Sequence, residues 1–166
     1  MPERKTIERA RRDKREGKAP TTQAGEFVRE EIEHIREGKH GARSPAQAIA
    51  IGLSKARRAG VELPPPEKGA ASEKTRRSAK KALEAGEKPH APSPKRSKAV
   101  TTALKREPRT TVSKTALSRQ AKAAAKERPA SERSAAARKA ARTKGPAVRA
   151  HAAEKAARTR AQARTT

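Results

Sequence analysis

The sequence predicts a mainly α-helical chain with extensive disorder: a small helical hairpin followed by a long basic tail whose helices are transient. Large apolar side chains are nearly confined to one short segment, and the second half is built from Lys, Arg, Ala and Pro. Charge gives the third indication. The 166 residues hold 43 Lys or Arg against 18 Asp or Glu, a formal net charge of +25. Apolar residues make up 32%, with one Phe and no Trp, Tyr or Cys. Over most of the chain such a composition leaves too little apolar surface to offset chain entropy.

Residues 1–20 read as a charged arm. Glu3 to Gly17 is free of proline, but only Ile7 and Ala10 are apolar there, so a frayed, charge-laced helix with no face to bury is expected. Residues 21–66 read as the hairpin. Ala24, Phe27, Val28, Ile32 and Ile35 recur at helical spacing, with Thr22 placed to cap the start and Gly38 to end it. Ser44-Pro45-Ala46-Gln47 then has the elements of a capping box, with Pro at the first helical position. Ala48, Ile49, Gly52, Leu53 and Ala56 make a narrow apolar stripe. Gly60 fits the left-handed position past the helix end, with Val61 folding back on the last turn. The predicted hairpin core is Phe27, Val28, Ile32, Ile35, Ile49 and Leu53, and Lys55 and Arg58 form a basic face beside it. An isolated unit of this size, without disulfide or metal, usually needs more burial, so self-association is an expected source of it.

Residues 67–166 carry 28 basic and eight acidic residues, against 15 and ten in residues 1–66. Pro108, Pro129 and Pro146 divide the tail into Ala/Lys/Arg segments, each expected to stop at its proline and to become helical only on a polyanion. An ordered head joined to a cationic tail is the footprint of a nucleic-acid-binding protein. The scarcity of aromatic residues argues against stacking on single-stranded bases, which leaves phosphate neutralisation on duplex DNA with little base readout. The expected contacts are Lys95, Arg96, Lys98, Lys105 and Arg106, then Lys114, Arg119, Lys122 and Lys126, then Arg138, Lys139, Arg142, Lys144, Lys155 and Arg158. Ser93-Pro94-Lys95-Arg96 is similar to the S-P-K-K/R turn of histone tails, which places cations in a narrow minor groove.

No catalytic constellation is legible. His34, His40, His90 and His151 are scattered and read as surface histidines, so no metal, cofactor or enzymatic activity is expected. Gly52-Leu53-Ser54-Lys55-Ala56 lacks the strand, His and acid that a nucleophile elbow needs. Met1 to Lys18 has no apolar stretch, so it is not expected to be a signal peptide, and the absence of Cys fits a reducing cytoplasm. A cytoplasmic, nucleoid-associated protein is the expectation. The alternative is an interaction protein whose hairpin docks a partner while the tail attaches to RNA, polyphosphate, membrane or a granule surface.

Glu26 to Pro66 resembles an uncharacterised family of small basic bacterial proteins with an S-x-x-Q-A-I-A-I-G-L-S-x-A-R-R-A-G core, which here is Ser44 to Gly60 without a gap. The resemblance implies a bacterial source and a Lys/Ala-rich tail, and no activity. Ser93 to Thr166 is similar in composition to histone-like tails.

Overall fold

A computed structural model describes residues 2–87 and 93–164, and among them there are seven α-helices and no β-strand. The helices are α1 (Arg4–Arg15), α2 (Pro20–Arg36), α3 (Pro45–Arg58), α4 (Glu73–Glu87), α5 (Pro94–Lys105), α6 (Lys114–Glu127) and α7 (Ala130–Arg164), with a 3-10 turn at Thr110–Val112 before α6. The chain divides into two compact units at Gln120/Ala121.

The hairpin forms between α2 and α3 as the periodicity requires. Ser44 Oγ accepts from the Gln47 amide at 3.2 Å, and Gln47 Oε1 accepts from the Arg43 amide at 2.7 Å, so the capping reciprocity lands one residue earlier than in the standard box. Gly60 takes φ 87°, the Val61 amide reaches the Ala56 carbonyl at 3.1 Å, and the Gly60 amide reaches Arg57 at 3.0 Å. That is a Schellman ending, with Val61 buried against the last turn. Gly38 ends α2 the same way, with φ 82°. Thr22 is not the N-cap of α2. The helix starts at Pro20, whose ring presets φ, and Thr22 lies within the first turn.

The hairpin's interior is made by closeness more than by bulk. Ala48, Gly52 and Ala56 lie on successive turns of α3 and are buried. A Cβ at Gly52 would stand 2.7 Å from Val28 Cα, so the two backbones meet there. Phe27, with Ala24 and Ala56, centres one cluster, against which Leu53 packs; Ile35, with Ala42 and Ala48, belongs to a second, against which Ile32 packs. Ile49 is only half-buried and belongs to neither cluster.

Three further segments pack onto the hairpin, and the first and third of them complete these clusters. The predicted arm is in fact α1, packed on α2, with Thr6, Ala10 and Asp13 buried and Ile7 against the Phe27 cluster. Its buried face escapes a hydropathy pattern because Thr6 and Asp13 share it with alanine; Asp13 is held by Lys18 Nζ at 2.7 Å. Helix α4 packs on α3 through Ala79 and Ala82. Ser72 caps α4, accepting from the Thr75 amide at 3.2 Å. A Cβ at Gly86 would collide with the Arg57 carbonyl, so α4 also meets α3 backbone to backbone. Arg57 itself is buried and donates to the Leu63 and Pro64 carbonyls at 3.0 Å, tying down the chain after α3. Burial works against its charge and pulls its pKa down.

The third segment comes from far along the chain. Val112 is fully buried in the second cluster with Ile35, Ala42 and Ala48. The Gly41 amide donates to Leu104 at 2.8 Å, the Ala42 amide to Pro108 at 3.2 Å, and Thr111 Oγ1 to the Ala42 carbonyl at 2.9 Å. Arg36 Nη2 donates to the Val112 carbonyl at 3.2 Å. Residues 104–112 are therefore a strap across the loop between α2 and α3, and a side chain at Gly41 would strike the Glu107 carbonyl.

The expectation of extensive disorder in residues 67–166 is accordingly corrected: the described residues of this stretch include α4 to α7, and part of them completes the core. Segmentation at prolines holds. Helix α6 stops before Pro129, and α7 is two helical stretches joined at Gly145 (φ 69°, ψ 169°) ahead of Pro146. The burial sought from a second copy is supplied within the chain.

Two stability measurements check this packing. Gly52→Ala should destabilise by about 1–3 kcal/mol in a urea melt through overpacking, even though alanine is the better helix former by about 1 kcal/mol. Val112→Ala should lower stability by about 2 kcal/mol and reduce the helical signal's melting temperature, whereas a free tail would leave both unchanged.

Candidate nucleic-acid interface

The fifteen cations expected to contact phosphate are all exposed. Lys95, Arg96, Lys98 and Lys105 lie on α5, with Arg106 at its end. Lys114, Arg119, Lys122 and Lys126 lie on α6, and Arg138, Lys139, Arg142, Lys144, Lys155 and Arg158 on α7. None of them makes an ion pair among the described residues. Acids of the first helices are paired locally, Glu26 with Arg9 and Arg29, Glu62 with Lys14 and Glu31 with Lys55.

Helix α7 is the clearest case. It carries ten Lys or Arg and two Glu, and none of its side chains from Ala130 to Ala163 is buried. An Ala-rich helix with no bulky apolar face has little packing to hold it and carries like charges one turn apart, as at Arg138 and Arg142. At the Gly145-Pro146 kink the two stretches leave a shallow concavity lined by Arg138, Arg142 and Arg149. Arg149 Nε donates to the Gly145 carbonyl at 3.2 Å, which holds one guanidinium at the bend. Within this unit the kink gathers three forked donors of the kind that match phosphate oxygens.

Ser93-Pro94-Lys95-Arg96 does not form the minor-groove turn. Pro94 opens α5, the Ser93 hydroxyl makes no cap hydrogen bond, and Lys95 and Arg96 stand exposed in the first helical turn. The hairpin's basic face is also not a face. Arg58 is exposed, but Lys55 turns inward and its Nζ lies 2.5 Å from Oε2 of the fully buried Glu31. The Lys55 ammonium is therefore paired with Glu31, and Arg58 is the exposed cation of the two.

The histidines differ too. His151 is exposed on α7, and His90 lies outside the described residues. His34 and His40 are not surface residues: their side chains are 13% and 14% exposed. The turn at Gly38 folds the chain back, with the Lys39 amide on the His34 carbonyl at 3.0 Å, and so carries His40 to Glu31. Glu31, His34 and His40 together could hold a metal ion.

No helix among the described residues is long and apolar enough to cross a membrane. Comparison with family models, curated proteins and solved structures gives no match.

Lys55→Ala separates the two roles of the hairpin cation. It should cost about 3 kcal/mol of stability by leaving Glu31 buried and unpaired, while DNA affinity of the folded variant stays within twofold. A loss of DNA affinity at unchanged stability would instead make Lys55 a contact.

Proposed function

We propose that this protein is a non-enzymatic, histone-like, nucleoid-associated protein that binds duplex DNA by phosphate neutralisation, largely without regard to sequence. The observation that carries the proposal is the set of fifteen exposed, unpaired cations on α5, α6 and α7, helices that bury almost nothing. Their charge has no structural partner. Polyanion supplies one, and removes the repulsion between neighbouring turns that otherwise weakens these helices. The cations are displayed on helices rather than along an extended tail.

Spacing supports the choice of duplex. Duplex DNA presents a negative charge about every 1.7 Å along its axis, both strands counted. A straight 35-residue helix would run about 50 Å at 1.5 Å per residue. The kink divides α7 into two shorter rods, each able to follow a backbone that curves. Ala, the commonest neighbour of these cations, adds no side chain able to read a base edge by hydrogen bonding. The proposed cradle of Arg138, Arg142 and Arg149 fixes position on the backbone and not register on a sequence.

The measurement is a salt titration of affinity for several unrelated duplexes. The logarithm of affinity should fall against the logarithm of salt with a slope on the order of 10, at about 0.9 per phosphate contact. Random and A/T-rich duplexes should differ only a few-fold. Replacing Arg138, Arg142 and Arg149 together by Ala should flatten the slope by about 3. A shallow slope with one strongly preferred sequence would sink the proposal.

A further inference from the structure

We infer that Glu31, His34 and His40 form a zinc-binding site that clips the end of α2 to the loop leading into α3. The Glu31 carboxylate is fully buried. Its Oε2 is matched by Lys55, but its Oε1 has no hydrogen-bond partner. An unmet carboxylate oxygen in the interior is costly, and something must answer it.

What faces it is His40 Nε2, at 3.3 Å. The other ring nitrogen, Nδ1, lies 3.1 Å from the Gly41 carbonyl oxygen. A carbonyl only accepts, so Nδ1 carries the proton, and Nε2 of the neutral ring presents a lone pair. A lone pair and a carboxylate oxygen then face one another, which is repulsive unless a cation lies between them. The Nδ1–H to carbonyl contact is also the usual way a ligating imidazole is oriented. Zinc bonds of about 2.0–2.1 Å at tetrahedral angles place two ligand atoms about 3.3–3.4 Å apart. The observed separation fits that edge.

His34 supplies the third ligand. It lies three residues beyond Glu31 and so on the same face of α2. The three side chains each offer a ligand atom, all within 4.8 Å of one another. The two rings stand edge to face, with centroids 6.5 Å apart. Glu3 Oε1 lies 2.9 Å from His34 Nε2 and Glu30 Oε1 4.0 Å from the same nitrogen, so carboxylates also line that ring. The small exposure of both imidazoles leaves an opening for entry and for a water in the fourth position. Two imidazoles and one carboxylate suit zinc, whereas magnesium and calcium prefer oxygen alone. Lys55 remains on Oε2, as a hydrogen-bonded neighbour of a ligating carboxylate does.

The test is calorimetric titration of the metal-stripped full chain with zinc sulfate, alongside thermal melts in zinc, magnesium or calcium. One zinc per chain is expected, with a melting temperature raised by zinc alone. His34→Ala and His40→Ala should each weaken zinc binding by at least 10- to 100-fold and remove the zinc-dependent shift. His151→Ala should change neither. Absence of a zinc-specific shift in the unsubstituted chain overturns the inference without need of any variant. So does zinc affinity that survives both His34→Ala and His40→Ala, and the cluster is then an ion pair of Glu31 with Lys55 and a protonated His40.

Discussion

The fold depends on backbones coming close where side chains are too small to fill a gap. With one Phe and few Leu, Ile or Val, a core of ordinary bulk is out of reach. The chain instead narrows the space. Gly52 lets α3 meet α2 at Val28, Gly86 lets α4 meet the Arg57 carbonyl, and Gly41 lets the strap at residues 104–112 lie on the hairpin loop. Close packing of this kind recovers dispersion that larger side chains would otherwise supply. It also fits the use of alanines as core residues here: Ala24, Ala42, Ala48 and Ala56 are fully buried.

Charge is distributed by the same logic. Acids are concentrated in the first 66 residues, and most of them are drawn into a local pair or network, as Asp13 with Lys18 or Glu31 with Lys55. Lys14 likewise holds the Glu62 carboxyl below its ordinary range across an exposed pair. Surface pairs of that sort contribute little energy each. The later helices hold fewer acids for their many cations, eight acidic against 28 basic residues over 67–166, and keep a large positive net charge.

The parts legible in the sequence were those set by local chemistry. The Ser44 cap, the Gly38 and Gly60 endings, the α2 stripe and the breaks before Pro129 and Pro146 follow from nearest neighbours along the chain. The missed parts share a different cause. Helix α1 buries Thr6 and Asp13, α4 buries two alanines, and Val112 fills a cavity whose walls are about 70 residues away, so none leaves an apolar period to read. A Ser72 cap followed by Ala79, Ala82, Leu83 and Gly86 at helical spacing was a usable sign of α4. The exposed cations were legible because a lysine-rich run without acids has nowhere else to be. The inward turn of Lys55 was not, since it depends on Glu31 across the hairpin, and neither was the approach of His40, which depends on the φ of Gly38.

The strap joins Arg36 to the carbonyl of Val112 across 76 positions of sequence. Loops of that length close at a modest entropic penalty but slowly relative to a helical hairpin. Helices α2 and α3 can therefore pair as soon as both exist, while their second apolar cluster stays open to water until Val112 arrives. On a growing chain this sets an order of events. An early hairpin emerges with one sealed side and one sticky side, and the newly made strap is the stopper that ends its vulnerability to aggregation.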